Sequence, residues 1–534
     1  MDSEAFRQEG HRLVEWVADY LEEVERYPVR SRARPGEVLA ALPPAAPERP
    51  EHFEQVLSDL DRIVLPGLTH WQHPSFFAYF PANSSYASIL AELVTAGLGV
   101  NGFSWVTSPA ATELEQVMCE WMRDLLGLPD RFSFERGGGG VIQDSASSST
   151  LVAVVAARER AVAAGAEPSR LVAFASEEAH ASVQKAMRVA GFAPDALRAI
   201  PTGPTFALEA GRLADELAAA RRAGRVPFLT IATSGTTSSL AFDPLDALAD
   251  LAGEHGMWLH VDAAMAGVAA LCPEHRWVLD GVARVDSWAT NPHKWMGAQF
   301  DCALLYVADR RAITAALSTE PAYLASAEAG RVVDYRNWQI PLGRRFRALK
   351  LWFLLRLEGA EAIRAMLRRH VAWASELASW VEADPHLQLV EQPRLNLVCL
   401  RHRDGPDATD ALVEGANDTG AALFTRTLLG GAPTLRFCVG ARTTERRHVE
   451  AGFSLLARLG AEGAGRRAVG ASSRPGETAR NGTGAGIPDL GRRADGAEIG
   501  SAGIGRRADG AEIGSAGIGR RADGAEIGDP GQGA

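Results

Sequence analysis

Lysine is nearly absent from this chain. Of its 55 basic residues, only Lys185, Lys294 and Lys350 are lysine, and arginine carries the rest. A guanidinium does not lose its proton to become a nucleophile, so each remaining lysine is a candidate for amine chemistry as well as for ordinary duty. Cysteine is also sparse: Cys119, Cys272, Cys302, Cys399 and Cys438 are odd in number, scattered and never in a CxxC pair. That excludes a disulfide framework and a thiolate zinc site, and a reducing cytoplasm is the expected compartment. No apolar run reaches the roughly 18 residues of a spanning helix. The start, MDSEAFRQEGHRLVEWV, lacks the apolar core of a signal peptide. A formal charge of −11 provides no basic field for nucleic acid or anionic lipid, so neither is an expected partner. Aromatic residues stop at Phe453, and glycine supplies 20 of residues 461–534. There GRRADGAEIGSAGI runs over 491–504 and 505–518, and a third copy decays from Gly519. With two Ile per unit as its only large apolar residues, this tail is expected to be disordered.

The full length of 534 residues suggests roughly two to four domains and a sizeable core. Residues 1–27 read as an amphipathic helix, and Pro28 to Pro50 as a stretch without regular structure. Helices are expected over 110–127, 147–165 and 243–256. Strands are expected over 171–176, 227–233, 257–262, 285–290 and 302–307. This alternation predicts an α/β architecture with a largely parallel sheet covered on both faces. After about residue 346 a long helical run leads to strands near LNLVCLRH and TLRFCVG, the pattern of a smaller second α/β domain.

Two segments carry candidate chemistry. WLHVDAAMAG ends a strand with His260 and Asp262, and NPHKW follows another strand with Asn291, His293 and Lys294. Open α/β sheets bind ligands at the carboxyl ends of their strands. An Asp and a Lys there form either a simple ion pair or a pyridoxal phosphate site, with Lys as the Schiff-base amine and Asp on the pyridine nitrogen. A phosphate cup would be supplied by GGGGVIQDSASSST, a glycine run followed by Ser145, Ala146, Ser147, Ser148 and Ser149 opening a helix; ordinary helix capping accounts for the same serines. His180 follows the strand at 171–176. The spacing of these histidines and Asp262 matches no compact metal motif, and no metal is expected.

In this order the segments resemble the group II pyridoxal-phosphate decarboxylases, specifically the aromatic L-amino acid decarboxylase family. The resemblance covers about residues 1–460 and rests on HPSFFAYFPANSSY (73–86), GFSWVTSPAATELE (102–115), HVDAAMAG (260–267), NPHKW (291–295) and DYRNWQIPLGRRFRALKLWF (334–353). It implies fold type I, with an N-terminal helical arm over 1–85 and a large pyridoxal-phosphate-binding domain with a mostly parallel seven-stranded sheet over 86–345. A small C-terminal α/β domain would span 346–460, and the tail 461–534. It also implies Lys294 as Schiff-base lysine, Asp262 on the pyridine nitrogen, Ala264 against the ring and His180 stacked on it. Ala146, Ser147 and Asn291 would contact the phosphate, and Thr237 and His293 would flank the site. Tyr323 matches the tyrosine of a loop that closes over substrate and, with His180, returns a proton to Cα. Tyr79, Phe80, Ala82, Asn101, Phe103 and His293 would contact the substrate, Phe103 reaching in from the partner subunit of a homodimer.

The implied reaction is decarboxylation of an aromatic amino acid of the tryptophan, DOPA, tyrosine or phenylalanine class to its amine. The alternatives are an acidic substrate (glutamate, aspartate or sulfinoalanine), an aromatic aldehyde synthase, and a silent scaffold. In similar plant enzymes phenylalanine at the Tyr323 position accompanies aldehyde formation, as asparagine at the His180 position does in insect relatives. Both residues here favour the amine. Arg336 and Arg344 do not point to an acidic substrate, since aromatic-specific relatives have similar arginines. Gly343 matches a glycine that goes with indolic substrates in plant relatives. The chain departs from animal members at Met265 (tyrosine), Asp144 (a small residue), Ala82 (threonine) and Asn101 (an aliphatic residue), and its loop from Tyr323 to Asp334 is shorter.

Overall fold

Seven strands line up at one level because their sequences alternate with capped helices that fold back over the sheet. In the computed structural model, which describes residues 1–319, 328 and 330–472, these strands are β1 (Gly139–Gln143), β2 (Leu171–Ser176), β3 (Leu197–Ile200), β4 (Val226–Thr233), β5 (Trp258–Asp262), β6 (Ser287–Thr290) and β7 (Ala303–Val307). Their order is β1-β7-β6-β5-β4-β2-β3. Pairings from β3 through β6 are parallel, and β7 runs antiparallel to both of its neighbours. Thr233 of β4 pairs with Asp262 of β5, which pairs with Ala289 of β6, so three parallel strands reach their carboxyl ends together. Residues of β1, β2, β4, β5, β6 and β7 are almost all buried, as expected for strands covered on both faces.

The second sheet comprises β8 (Leu387–Leu389), β9 (Leu397–His402), β10 (Thr425–Leu429) and β11 (Ala432–Cys438), all antiparallel in the order β10-β11-β9-β8. Helices Gly359–Ala383, Pro406–Asp418 and Arg446–Ser472 accompany it. Its core is a separate apolar cluster around Phe77, Leu400, Phe424, Leu435 and Phe437.

Several expectations change. The N-terminal helix spans Ser3–Glu22 and has no buried residue. The Pro28–Pro50 stretch contains a short helix, Glu37–Ala41, where VLAA interrupts the prolines. The long helical run breaks into Ala348–Leu357 and Gly359–Ala383 because Gly359 takes φ +79°. The glycine run builds the sheet rather than a phosphate loop. A Cβ on Gly138 would lie 2.2 Å from the Arg131 carbonyl oxygen, and one on Gly140 would lie 2.8 Å from the Cys119 Cβ. Only glycine admits the first two residues of β1 and the residue before them this close to their neighbours. No helix among the described residues is long and apolar enough to cross a membrane. Tyr323 and the repeat tail lie outside the described residues.

Candidate active site

The carboxyl ends of β4, β5 and β6 and the first turn of helix Ala146–Ala163 enclose a cavity of about 180 Å³. Its walls are Ser145, Ala146 and Ser147, His180, Thr233, Gly235 and Thr237, Asp262, Ala264 and Met265, Asn291, His293 and Lys294, with Phe80. All nine residues expected to hold a cofactor therefore share one cavity: Ala146, Ser147, His180, Thr237, Asp262, Ala264, Asn291, His293 and Lys294.

Local hydrogen bonds explain the arrangement. Asp262 ends β5, and its Oδ1 accepts from the Ala264 N–H at 3.0 Å, leaving Oδ2 for the cavity. The Ala264 carbonyl in turn accepts from the Asn291 N–H at 3.0 Å, which ties the β5 and β6 exits together. The Lys294 loop is clamped by the Asn83 side chain, whose Nδ2 donates to the Lys294 carbonyl at 2.7 Å and to the Gly440 carbonyl at 2.9 Å. Lys294 Nζ lies 5.6 Å from the centre of the Phe80 ring. It has no hydrogen-bonded or ion-paired partner among the described residues, so the simple Lys–Asp ion pair is not formed. Burial pushes the Lys294 pKa below its ordinary value, with Asp262 opposing the shift and Arg436 adding to it. Deep burial thus favours the neutral, nucleophilic amine.

Two histidines have defined tautomers. Nδ1 of His180 accepts from the Ser182 N–H at 3.2 Å, and Nδ1 of His293 accepts from the Cys302 N–H at 3.0 Å. In the neutral form each ring therefore carries its proton on Nε2. Burial lowers the His293 pKa to about 3, so its ring stays neutral at physiological pH. Ser145 caps the helix by accepting from the Ser148 N–H at 3.3 Å. The N–H groups of Ala146 and Ser147, at the first two helical positions, have no helical acceptor.

These features fit pyridoxal phosphate. Such a cofactor needs an unpaired amine, a carboxylate for its ring nitrogen and an anion cradle, and the cavity holds all three. Asn291 adds to the cavity wall a side-chain N–H₂ donor without a partner among the described residues.

The substrate-side residues are not gathered in the same way. Phe80 and His293 line the cavity, and Tyr79, Ala82, Asn101 and Phe103 do not. Tyr79 is 53% exposed, with its ring stacked on Trp71 at 5.7 Å. Asn101 Oδ1 accepts from the Arg344 N–H at 2.8 Å, and the Phe103 carbonyl accepts from the Arg336 N–H at 2.8 Å. The Arg344 guanidinium is locked on Glu115 at 2.6 and 2.8 Å.

Thr233, Gly235 and Arg436 were missed. Arg436, 2% exposed, sits 4.9 Å from the centre of the Phe80 ring and donates to the Ser238 and Tyr79 carbonyls. An arginine inside the apolar strand pattern TLRFCVG was the available signal.

Residues 35–403 match the family model described as the pyridoxal-dependent decarboxylase conserved domain. A phenylacetaldehyde synthase of Arabidopsis thaliana is 44% identical over 469 residues, covering 85% of this chain and 96% of that protein. The aromatic-L-amino-acid decarboxylase of Mus musculus is 40% identical over 473 residues, covering 86% and 98%. Among solved structures, Oryza sativa TDC with PLP and tryptamine superposes with a TM-score of 0.85 at 38% identity, covering 86% of this chain and 99% of that one. With its unpaired lysine, its strand-end aspartate and this similarity over most of its length, the chain belongs to the pyridoxal-dependent decarboxylase family, as a carboxy-lyase that uses pyridoxal phosphate.

Proposed function

We propose that this enzyme removes the α-carboxylate of an aromatic L-amino acid as CO₂ and releases the arylalkylamine. The observation that carries the reading is the unpaired Lys294 amine sharing one cavity with the free Asp262 oxygen and the Phe80 ring. When bound, the cofactor supplies an electron-withdrawing ring that takes up the charge left at Cα as the carboxylate departs. Lys294 would hold it through the neutral amine, and Asp262 Oδ2 would keep a proton on its ring nitrogen. Ala146, Ser147, Asn291 and Thr237 would hold its phosphate, and Ala264 and His180 would flank its ring. His180 presents a proton on Nε2, and with Tyr323 it returns one to Cα.

Phe80 offers the substrate a flat apolar wall. Arg344 is bound to Glu115 and Arg336 lies against Asp334, which supports an aromatic over an acidic substrate. Aldehyde formation is the second reading, favoured by similarity to phenylacetaldehyde synthase and opposed by the presence of both His180 and Tyr323 in the sequence.

We further propose a homodimer in which Asn101 and Phe103 serve the partner's cavity. Leu90, Leu93, Val94 and Leu98 on helix Tyr86–Leu98, and Phe6 and Val14 on the N-terminal helix, present exposed apolar surface for it. The arm 1–85, large domain 86–345 and small domain 346–460 are its proposed parts. A cytoplasmic location is supported by five free, buried cysteines.

The test is mass-spectrometric product analysis of the cofactor-loaded enzyme given tryptophan, 5-hydroxytryptophan, DOPA, tyrosine, phenylalanine and glutamate together. An aromatic amine that disappears in Lys294→Ala supports the reading. Aldehyde with peroxide and ammonia selects the second reading, and 4-aminobutyrate alone overturns the aromatic one.

A further inference from the structure

The residue before the Ser145 cap is Asp144, a carboxylate at the end of the helix that lines the cavity with Ser145, Ala146 and Ser147. It is half-buried, and its Oδ1 accepts from the Ser145 hydroxyl at 3.2 Å. It forms no ion pair among the described residues. The neighbouring arginines are committed elsewhere: Arg347 bonds to Asp301 at 3.0 Å, and Arg344 to Glu115. A negative charge that meets Arg347 only at longer range therefore stands next to the helix start, where the dipole and the open N–H groups of Ala146 and Ser147 would receive an anion. That an anion is received there has independent support, since Asn291, 3% exposed, lines the same cavity and its side-chain N–H₂ donor has no partner among the described residues.

We infer that Asp144 competes with the cofactor phosphate for this helix end and so lowers the affinity for pyridoxal phosphate, which makes the cofactor exchangeable. In the free protein the carboxylate supplies part of the negative charge that the helix start favours. It also engages the Ser145 hydroxyl, which is then not donated to phosphate. With the phosphate in place, the two anions repel each other across a partly water-shielded site. The inference rests on the cofactor reading above, and the phosphate group is what separates the two in experiment.

The experiment is an equilibrium titration of the apoenzyme with pyridoxal phosphate and, in parallel, with pyridoxal, which lacks the phosphate. Binding is followed by tryptophan fluorescence and visible absorbance, and no turnover is needed. Asp144→Asn removes the charge but keeps an acceptor for Ser145, and Asp144→Ser removes both. Each is expected to tighten pyridoxal phosphate about tenfold, equivalent to about 1.4 kcal/mol, and to leave pyridoxal within about twofold. Unchanged or weaker binding of pyridoxal phosphate by both variants overturns the inference while leaving the cofactor reading intact. Equal tightening of both compounds overturns it too, since the effect would then not pass through the phosphate. If wild-type protein binds neither compound, both readings fall.

Discussion

Glu115→Gln tests how the cavity is braced. Glu115 and Arg344 are buried, with side chains 5% and 1% exposed. Oε1 of Glu115 accepts from the Ile142 N–H at 2.7 Å and from an Arg344 guanidinium nitrogen at 2.6 Å, while Oε2 accepts from the same nitrogen at 2.8 Å. One carboxylate thus joins β1, two residues before Asp144, to the segment whose Arg344 N–H holds Asn101. Glutamine keeps the shape but removes the charge, and its amide N–H₂ faces either Arg344 or the Ile142 N–H, a donor against a donor in both orientations. What remains for Arg344 is the one uncharged glutamine oxygen, the Ile142 carbonyl at 3.1 Å, a 3.5 Å contact with the Tyr335 carbonyl, and the Tyr335 ring 4.7 Å away, with no counter-charge. Leaving a buried charge without its partner costs roughly 3–5 kcal/mol, a large share of a typical stability of about 5–15 kcal/mol. Urea unfolding of Glu115→Gln, Arg344→Met and the double variant measures it. The double variant is expected to be more stable than Glu115→Gln, because it removes the stranded cation. A loss below about 1 kcal/mol in Glu115→Gln, or a double variant less stable than both singles, would refute the bracing argument.

Acid should destabilise the fold. Burial lowers His73 and His260 to about 4 and His293 and His370 to about 3. Each therefore contributes stability that is present above the unfolded value near 6.5 and lost as pH falls below it. Four such groups lose about 5 kcal/mol between pH 7 and 5.5. Asp243, raised to about 6 by burial, works the other way and returns about 1 kcal/mol. Urea midpoints across this range should report a net loss of about 4 kcal/mol, and a flat profile would contradict it. Gly235→Ala should destabilise the fold by about 2 kcal/mol or more and reduce cofactor occupancy, both measurable by thermal unfolding with and without pyridoxal phosphate. Gly235 has φ +96°, and a Cβ there would lie 2.7 Å from the Ala266 Cβ.

The fold was legible where a segment's own period matched its final environment. Strands β2 and β4 occupy nearly their expected ranges because continuous runs such as LVAFAS suit a sheet covered on both faces. β1 was hidden, since its glycines carry no apolar signal and are required by neighbours remote in sequence, Trp338 against Gly139 and Cys119 and Tyr306 against Gly140. β3 was hidden for a related reason: it is an edge strand of four residues, paired on one side only and mostly half-exposed. The broken helix at Gly359 is the converse case, in which the apolar period continues through a backbone turn that only φ reveals.

The same distinction separates the two halves of the candidate site. Cofactor-side residues were readable because parallel strands deliver their carboxyl ends to one place, so position at a strand end is already a statement about space. Asp262 and Asn291, on adjacent strand exits, meet through Ala264 with no long-range information needed. Substrate-side residues have no such rule. Tyr79, Ala82, Asn101 and Phe103 lie on irregular segments, whose direction is set by side-chain hydrogen bonds such as those of Thr425 to Tyr79 and Asn101 to Arg344. Their absence from the single-chain cavity also has a consequence for specificity. If Asn101 and Phe103 act on the partner's cavity, substitutions at these positions change substrate preference only in an assembled dimer. Mixing a Phe103→Ala chain with a Lys294→Ala chain then becomes decisive. Shared sites leave one intact cavity per heterodimer and restore the wild-type substrate preference, whereas self-contained sites leave the preference of the Phe103→Ala chain.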